Sequence, residues 1–401
     1  MAKSDDPSLS ASTKLVAGGR SPDPHVVNPP VYRASTHLYE NCEALREGVK
    51  SNADGQFFYG RRGSPTQWAL ADALTELEPG AHGTVLYPSG VAAIAGALLT
   101  VLRPGDALLV TDNAYDPTRT MAMGLLKRFG IEHRFYDPLD LDGFAGLFCD
   151  RTKAVMIECP GSLTMEVCDV PALAAIAREN GAVSVLDNTW ATSLGFAALE
   201  HGCDISIQAL TKHVVGHSDV MLGACTAGEA LYKRLRARSQ QMGNVVSPDD
   251  AALALRGLRT MGVRLKQETE SALQIAEWLA AHEDVAHVLC PILPGAPGHE
   301  LWQRDFTGGC GLFSFVLKGR DDAARCRLID ALKLFGIGYS WGGFESLALP
   351  FDVPPVRDRM SWPKTGWNES DALGIRLSIG LEEPKDLIAD LQAGFAKMKT
   401  V

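Results

Sequence analysis

The sequence predicts an α/β protein with a large, mostly parallel sheet domain covered by helices and a smaller C-terminal α/β domain. Two observations point there. Through the middle of the chain short apolar runs alternate with helical patterns, the signature of parallel strands joined by crossover helices. After a long helical stretch, the last third of the chain repeats the alternation on a smaller scale.

Residues 1–62 lack sustained periodicity and carry Pro22, Pro24, Pro29, Pro30 and Gly60, so they read as an extended arm that packs on something else, a neighbouring subunit being one candidate. Residues 63–258 hold the apolar runs Thr84 to Tyr87, Ala107 to Thr111, Thr152 to Cys159, Ala182 to Leu186 and Ile205 to Leu210. Helical patterns at Ala71 to Glu78, Val91 to Leu102, Pro171 to Gly181 and Leu231 to Met242 lie between or beside them, several closing on glycine. The long helix is expected from Asp249 to His282. Residues 259–401 then add strands at Leu312 to Leu317 and Ile375 to Ile379 and helices at Asp321 to Phe335 and Pro384 to Met398. No tandem repeat is present.

Composition narrows the class. The chain has 401 residues, 46% of them hydrophobic and 21% charged, and a mean hydropathy of -0.01, ordinary values for a globular protein of more than one domain. With 38 Lys plus Arg against 48 Asp plus Glu, the formal charge is -10, which disfavours nucleic acid as a partner. The longest nearly apolar stretch, Gly90 to Leu102, is short of a bilayer span, so no membrane partner is expected. The polar start, with Asp5 and Asp6, lacks a secretory core. The nine cysteines form no C-x-x-C pair and several sit in apolar runs, which fits reduced, mostly buried thiols and a cytoplasmic location.

Several chemical signals fail on spacing. Gly338-Tyr339-Ser340-Trp341-Gly342 matches a hydrolase nucleophile elbow, but no histidine follows it; the last is His299. His213 and His217 are four apart, yet Gly216 intervenes and the H-E-x-x-H glutamate is missing, so no metal is expected. Ser361-Trp362-Pro363-Lys364 and Lys364-Thr365-Gly366 overlap and cannot form two walls of a penicillin-binding site. Neither a dinucleotide fingerprint nor a P-loop is present.

A different phosphate cradle remains. Tyr87-Pro88-Ser89-Gly90-Val91 leaves an apolar strand and enters an alanine-rich helix whose first N–H groups can face an anion, and Gly90 removes the side chain that would keep a phosphate away; simple helix capping is the plainer alternative. Asp187 ends one apolar strand, at the sheet edge where ligands of α/β proteins gather, although capping or a salt bridge would also place it there. Lys212 follows another strand, preceded by Thr211. A lysine is ordinarily a solvated charge, but at a buried edge its amine can become a nucleophile. An acid and an amine on two strand ends, near a phosphate cradle, are what pyridoxal 5'-phosphate requires.

At these residues the sequence resembles the Cys/Met-metabolism family of pyridoxal-phosphate enzymes, and within it the bacterial cystathionine β-lyases. The matching blocks run through nearly the whole chain: FFYGRRGSPT (57–66), LYPSGVAA (86–93), TDNAYDPT (111–118), PGSLTMEV (160–167), LDNTWA (186–191), SIQALTKHVVGHSD (206–219), RGLRTMGVRL (256–265), RDFTGGCGLFSFVL (304–317), YSWGGFESL (339–347) and IRLSIGLE (375–382). The resemblance implies a fold type I transferase-like architecture and a homotetramer of two active dimers. It implies that Lys212 binds the cofactor as a Schiff base and acts catalytically, that Asp187 pairs with the pyridine nitrogen, and that Gly90, Val91 and Thr211 take the phosphate. Tyr115 would stack on the ring and assist proton handling, while Tyr59 and Arg61 would reach the phosphate from the neighbouring subunit. Arg376, helped by Ser340, would grip the substrate carboxylate, and Trp341 would line the substrate pocket.

The implied reaction is β-elimination of L-cystathionine to homocysteine, pyruvate and ammonia, a step of methionine biosynthesis. Trp341-Gly342-Gly343 and Ser162 side with the β-lyases, since γ-branch relatives usually carry Leu-Gly-Gly and asparagine there. Three positions depart from the family pattern: Gln240 in place of a tyrosine of some β-lyases, Ala209 in place of a γ-branch serine, and His213 in place of a common tyrosine. The alternatives are a broader cysteine-S-conjugate or cystine β-lyase, a γ-lyase, and a non-catalytic binding protein on the same fold.

Overall fold

The computed structural model describes residues 9–50, 55–353, 357–362 and 364–399; Asp5, Asp6 and Pro363 of the sequence reading lie outside them. The chain divides into two compact units, one formed by residues 1–101 and 197–262 and the other by 102–196 and 263–401.

The first unit begins with helices α1 (Ala11–Ala17) and α2 (Cys42–Lys50), where the sequence suggested only extended chain. α1 packs on α3 (Pro65–Leu77) by burying Leu15. α2 has no buried residue; its apolar side chains Leu45 and Val49 face outward. α3 starts where Pro65 supplies a preset φ and Ser64 N donates to Gln67 Oε1 at 3.0 Å. Strand β1 (Gly83–Tyr87) then feeds α4 (Gly90–Val101), as expected from the apolar run and the alanine-rich pattern after it.

The chain next builds the second unit with β2 (Ala107–Thr111), α5 (Asp116–Met121), β3 (Glu132–Tyr136), α6 (Leu141–Ala145), β4 (Thr152–Glu158), α7 (Val170–Glu179), β5 (Val183–Asp187) and α8 (Thr192–Gly195). Its four strands are all parallel, in the order β5-β4-β2-β3, so every strand delivers its C-terminal end to the same edge. β3 was missed from sequence because Glu132, His133 and Arg134 occupy an exposed edge strand.

Returning to the first unit, β6 (Ile205–Gln208) and β7 (Gly223–Ala227) continue a β1-β7-β6 arrangement. β7 is antiparallel to both neighbours, a local correction to the parallel reading. Its Gly-Ala-Cys-Thr-Ala residues are wholly buried but too small to register as an apolar run. Helix α9 (Glu229–Met242) stops at Gly243, held at φ 72°, a left-handed position that glycine adopts without steric cost. α10 (Pro248–Ala280) is the long helix expected from the sequence.

The second unit closes with β8 (Val285–Leu289), α11 (His299–Asp305), β9 (Leu312–Leu317), α12 (Asp322–Asp330), β10 (Gly336–Ile337), β11 (Leu347–Phe351), β12 (Gly374–Ser378) and α13 (Pro384–Met398). Their strands form a five-stranded sheet in the order β10-β11-β12-β9-β8, with Phe313, Phe315, Ile375 and Leu377 fully buried. α12 ends before the expected Phe335. The carboxylate of Asp390 on α13 accepts the N–H groups of Lys333 and Leu334 at 2.8–2.9 Å, so those donors leave the helical ladder. All nine cysteines are free and six are buried, as expected.

Candidate active site

In the first unit the cradle and the lysine are brought together by the end of β6. A Cβ placed on Gly90 would come within 2.6 Å of the Ala209 Cβ, so the N-terminus of α4 lies directly against the segment that leads into Thr211 and Lys212. Ala92 N donates to Ser89 Oγ at 3.1 Å and Ala93 N to Ser89 O at 3.0 Å, while the N–H groups of Gly90 and Val91 are the first two of the helix and have no acceptor within it. Thr211 Oγ1 accepts the Leu222 N–H at 2.9 Å and is 3.1 Å from Leu222 O. Lys212 starts a tight turn, its N–H on Ala209 O and its carbonyl accepting from Gly216 N. His213 is buried beside it.

Tyr59 and Arg61 lie at the end of the arm, just before α3. Tyr59 is half exposed and precedes a 3-10 turn at Gly60–Arg62. Arg61 Nη1 donates to the carbonyl of Gln240 at 2.7 Å, and Arg62 Nη1 to the Gln240 side chain at 2.9 Å. A cavity of about 870 Å³ opens here, lined by Arg61, Arg62, Trp68, Tyr232 and Gln240 among others. Gln240, a position where the sequence departs from some β-lyases, therefore anchors Arg61 and Arg62 of the arm to α9.

In the second unit the strand ends converge. Glu158 and Asp187 are register partners at the C-terminal ends of β4 and β5. Asp187 Oδ1 accepts the Thr189 N–H at 3.1 Å and the Thr189 hydroxyl at 2.5 Å. Tyr115 caps α5, and its backbone N–H donates to Glu158 Oε2 at 2.6 Å. Burial first, then the Glu158 and Asp187 carboxyls, raises the Tyr115 phenol above its ordinary pKa, with Arg376 opposing them. Its hydroxyl therefore keeps its proton at neutral pH.

Arg376 on β12 donates from Nη2 to the Ser340 carbonyl at 2.9 Å. Burial lowers its pKa to about 10, partly opposed by Tyr115 and Tyr339, so the guanidinium stays charged at neutral pH. Ser340 holds φ at +80°, a strained backbone for a residue with a Cβ, and Trp341 follows it, partly buried. The second unit thus brings Asp187 and Arg376 each within electrostatic range of Tyr115. Ser162 N donates to Asn113 O at 2.9 Å, tying the Ser162 loop to the Tyr115 turn.

Sequence reasoning missed Glu158, Asp112 and Glu166. Glu158 ends an apolar strand as Asp187 does, so the same signal was present. Asp112 is buried and accepts the N–H groups of Asp358, Arg359 and Met360 at 2.9–3.1 Å as well as Arg119 Nη1 at 2.8 Å. Glu166 accepts from Thr164 Oγ1 at 2.6 Å and faces Lys364 Nζ at 3.2 Å. Together they hold residues 358–360 and Lys364 beside the Tyr115 turn.

Taken unit by unit, these residues suit different parts of pyridoxal phosphate. The N–H groups of Gly90 and Val91, first in α4 and without acceptors inside it, suit a phosphate, whereas the glycine itself is required by packing, since its Cβ would lie 2.6 Å from that of Ala209. A hydrogen-bonded carboxylate at a strand end suits a pyridinium, and a charged guanidinium beside a tyrosine suits an amino-acid carboxylate.

The profile of the family described as Cys/Met metabolism PLP-dependent enzyme matches residues 12–396. The cystathionine β-lyase MetC of Escherichia coli (strain K12) is 44% identical over 396 residues, covering 96% of this chain and 98% of that protein. The cystathionine β-lyase of Salmonella typhimurium is 43% identical, with coverages of 96% and 98%. Among solved structures, cystathionine γ-synthase from Xanthomonas oryzae pv. oryzae in complex with aminoacrylate and cysteine superposes with a TM-score of 0.86 at 32% identity, covering 98% of this chain and 99% of that one.

Proposed function

The chain belongs to the Cys/Met-metabolism family of pyridoxal-phosphate-dependent enzymes, and from that premise we propose that it splits L-cystathionine by β-elimination to homocysteine, pyruvate and ammonia. It is a carbon–sulfur lyase that uses pyridoxal phosphate. The observation that carries the substrate assignment is near-full-length identity of 43–44% to two cystathionine β-lyases, exceeding the 33% to the cystathionine γ-synthase of Mycobacterium bovis.

Bound pyridoxal phosphate supplies an electron sink for the carbanion formed at the substrate Cα. Lys212 would hold the cofactor through its amine, take the Cα proton, and return a proton to the departing thiolate. Gly90 and Val91 N–H groups, with the Thr211 hydroxyl, would take the phosphate. Asp187, its charge supported by two Thr189 donors, would keep the pyridine nitrogen protonated.

Arg376 would bind the substrate α-carboxylate through its guanidinium fork, with Ser340 fixing its direction through the carbonyl contact. Tyr115 would stack on the ring and, as a protonated phenol, donate to the substrate rather than act as a ready base. Trp341 would line the pocket. Tyr59 and Arg61 would serve a neighbouring subunit's phosphate in a homotetramer of active dimers. Exposed apolar residues of residues 1–62, with Leu38 at 93% and Val27 at 58%, support a partner for this segment. The free, mostly buried thiols support a cytoplasmic location, and the biosynthetic step would lie on the route to methionine.

The test is product identity. Purified holoenzyme given cystathionine is expected to release pyruvate; 2-oxobutyrate in its place would assign a γ-lyase. Comparing kcat/KM for cystathionine, cystine and djenkolate separates a dedicated enzyme from a broad cysteine-S-conjugate lyase.

A further inference from the structure

The parallel register of β4 and β5 sets two carboxyl groups side by side. Glu158 and Asp187 are direct partners, and registered residues of neighbouring strands project from the same face of a sheet. Two carboxylates so placed cannot both ionise cheaply, which favours one proton held on the pair. Their surroundings divide it unequally. Asp187 accepts two hydrogen bonds from Thr189, which favour its charged form. Glu158 accepts one, from the Tyr115 N–H at 2.6 Å.

We infer that Glu158 is a neutral positioning residue: its carboxyl holds the proton of the Glu158–Asp187 pair, so that Asp187 is the carboxylate, and it fixes Tyr115 to the end of β4 through the backbone N–H.

The other groups facing Glu158 agree with that division. Burial raises its pKa most, the Asp187 charge and Cys159 raise it further, and the Tyr115 N–H and the Arg357 guanidinium lower it without reversing the shift. A single carboxyl thereby performs two tasks. It anchors the residue proposed to cover the cofactor ring, and it withholds a second negative charge from the strand edge where one is wanted. The assignment of what Asp187 and Tyr115 then do rests on the proposed cofactor site, whereas the location of the proton does not.

Infrared spectroscopy of the holoenzyme at neutral pH tests the proton directly. Wild type should show a protonated-carboxyl C=O band that Glu158→Gln removes. Glu268 contributes a band of its own, so the wild type minus variant difference is the quantity read. An unchanged band in Glu158→Gln would overturn the inference. Anchoring is tested by comparing two variants. Glu158→Gln keeps an acceptor for the Tyr115 N–H and should retain about tenfold more kcat/KM than Glu158→Ala, the scale of one buried hydrogen bond. Equal losses in the two would overturn the anchoring role. Titrating apoprotein with pyridoxal phosphate separates this inference from its premise: wild-type affinity in Asp187→Ala would refute the cofactor site and leave the infrared result standing.

Discussion

The Gly90 Cα faces Ala209 so closely that a Cβ on Gly90 would lie 2.6 Å from the Ala209 Cβ. That contact joins the start of α4 to the segment carrying Thr211 and Lys212, and it sets the size limit on both residues. Gly90→Ala overpacks the junction, a change worth about 1–3 kcal/mol. We expect a lower thermal midpoint and about tenfold weaker pyridoxal phosphate binding by the apoprotein. Ala209→Gly in the same chain should restore much of both, because it removes the atom that the added methyl group would meet.

Ser340 holds φ at +80° while its carbonyl accepts from Arg376. Glycine occupies this backbone region without the cost of about 1–3 kcal/mol borne by other residues. Ser340→Gly is therefore expected to raise the urea unfolding midpoint while keeping the acceptor carbonyl. Arg376→Lys keeps the charge but loses the planar fork, and should raise KM for cystathionine about tenfold or more with a smaller effect on kcat.

The strand ends were legible because an apolar strand followed by a charged residue stands out, as at Asp187 and Lys212. The strand-to-helix junction at Ser89-Gly90 was legible, but on its own it reads as simple capping, and Ser89 Oγ does accept the Ala92 N–H. What stayed hidden depends on residues far apart in sequence. Asp112 gains its role only when the backbone of 358–360 arrives, and 357–364 has no periodicity to announce it. β7 hid behind small residues and β3 behind charged ones, since their burial or edge position is set by neighbours rather than by composition. The shortened α12 has the same origin, in a carboxylate donated by α13.

Asp112 should make the protein acid-sensitive. Burial raises its pKa, but the Met360 and Arg359 N–H groups, Arg119 and the Asp358 N–H together hold it below the ordinary value. A carboxyl with a depressed folded-state pKa contributes stability above its unfolded pKa and loses it as pH falls through the folded one. Asp112→Asn leaves the buried Arg119 without its ion pair and is expected to cost about 3–5 kcal/mol at pH 7. Denaturant midpoints of the two proteins should converge as pH falls below about 4.

Glu268 has the opposite sign. Burial pushes its pKa up from 4.5 to about 8, with Arg264 opposing the rise. Between those values the unfolded chain has released a proton that the folded chain keeps. Stability therefore falls as pH rises across that window, by at most about 1.4 kcal/mol per unit. Glu268→Gln carries no such proton. Its denaturant midpoint should change less between pH 5 and pH 8 than that of the wild type, and the gap in its favour should widen with pH.

Arg61 reaches the carbonyl of Gln240 within its own first unit. If it serves a neighbouring chain, the two residues can be separated genetically. Arg61→Ala and Lys212→Ala proteins should each be nearly inactive. After mixing under conditions shown to exchange subunits, random pairing makes half the dimers hybrid, and each hybrid holds one site with both native residues. About a quarter of wild-type activity is then expected, as two-fold symmetry requires. Activity that stays at parental levels despite proven exchange would place both residues in the same chain's site, and the arm would then serve assembly alone.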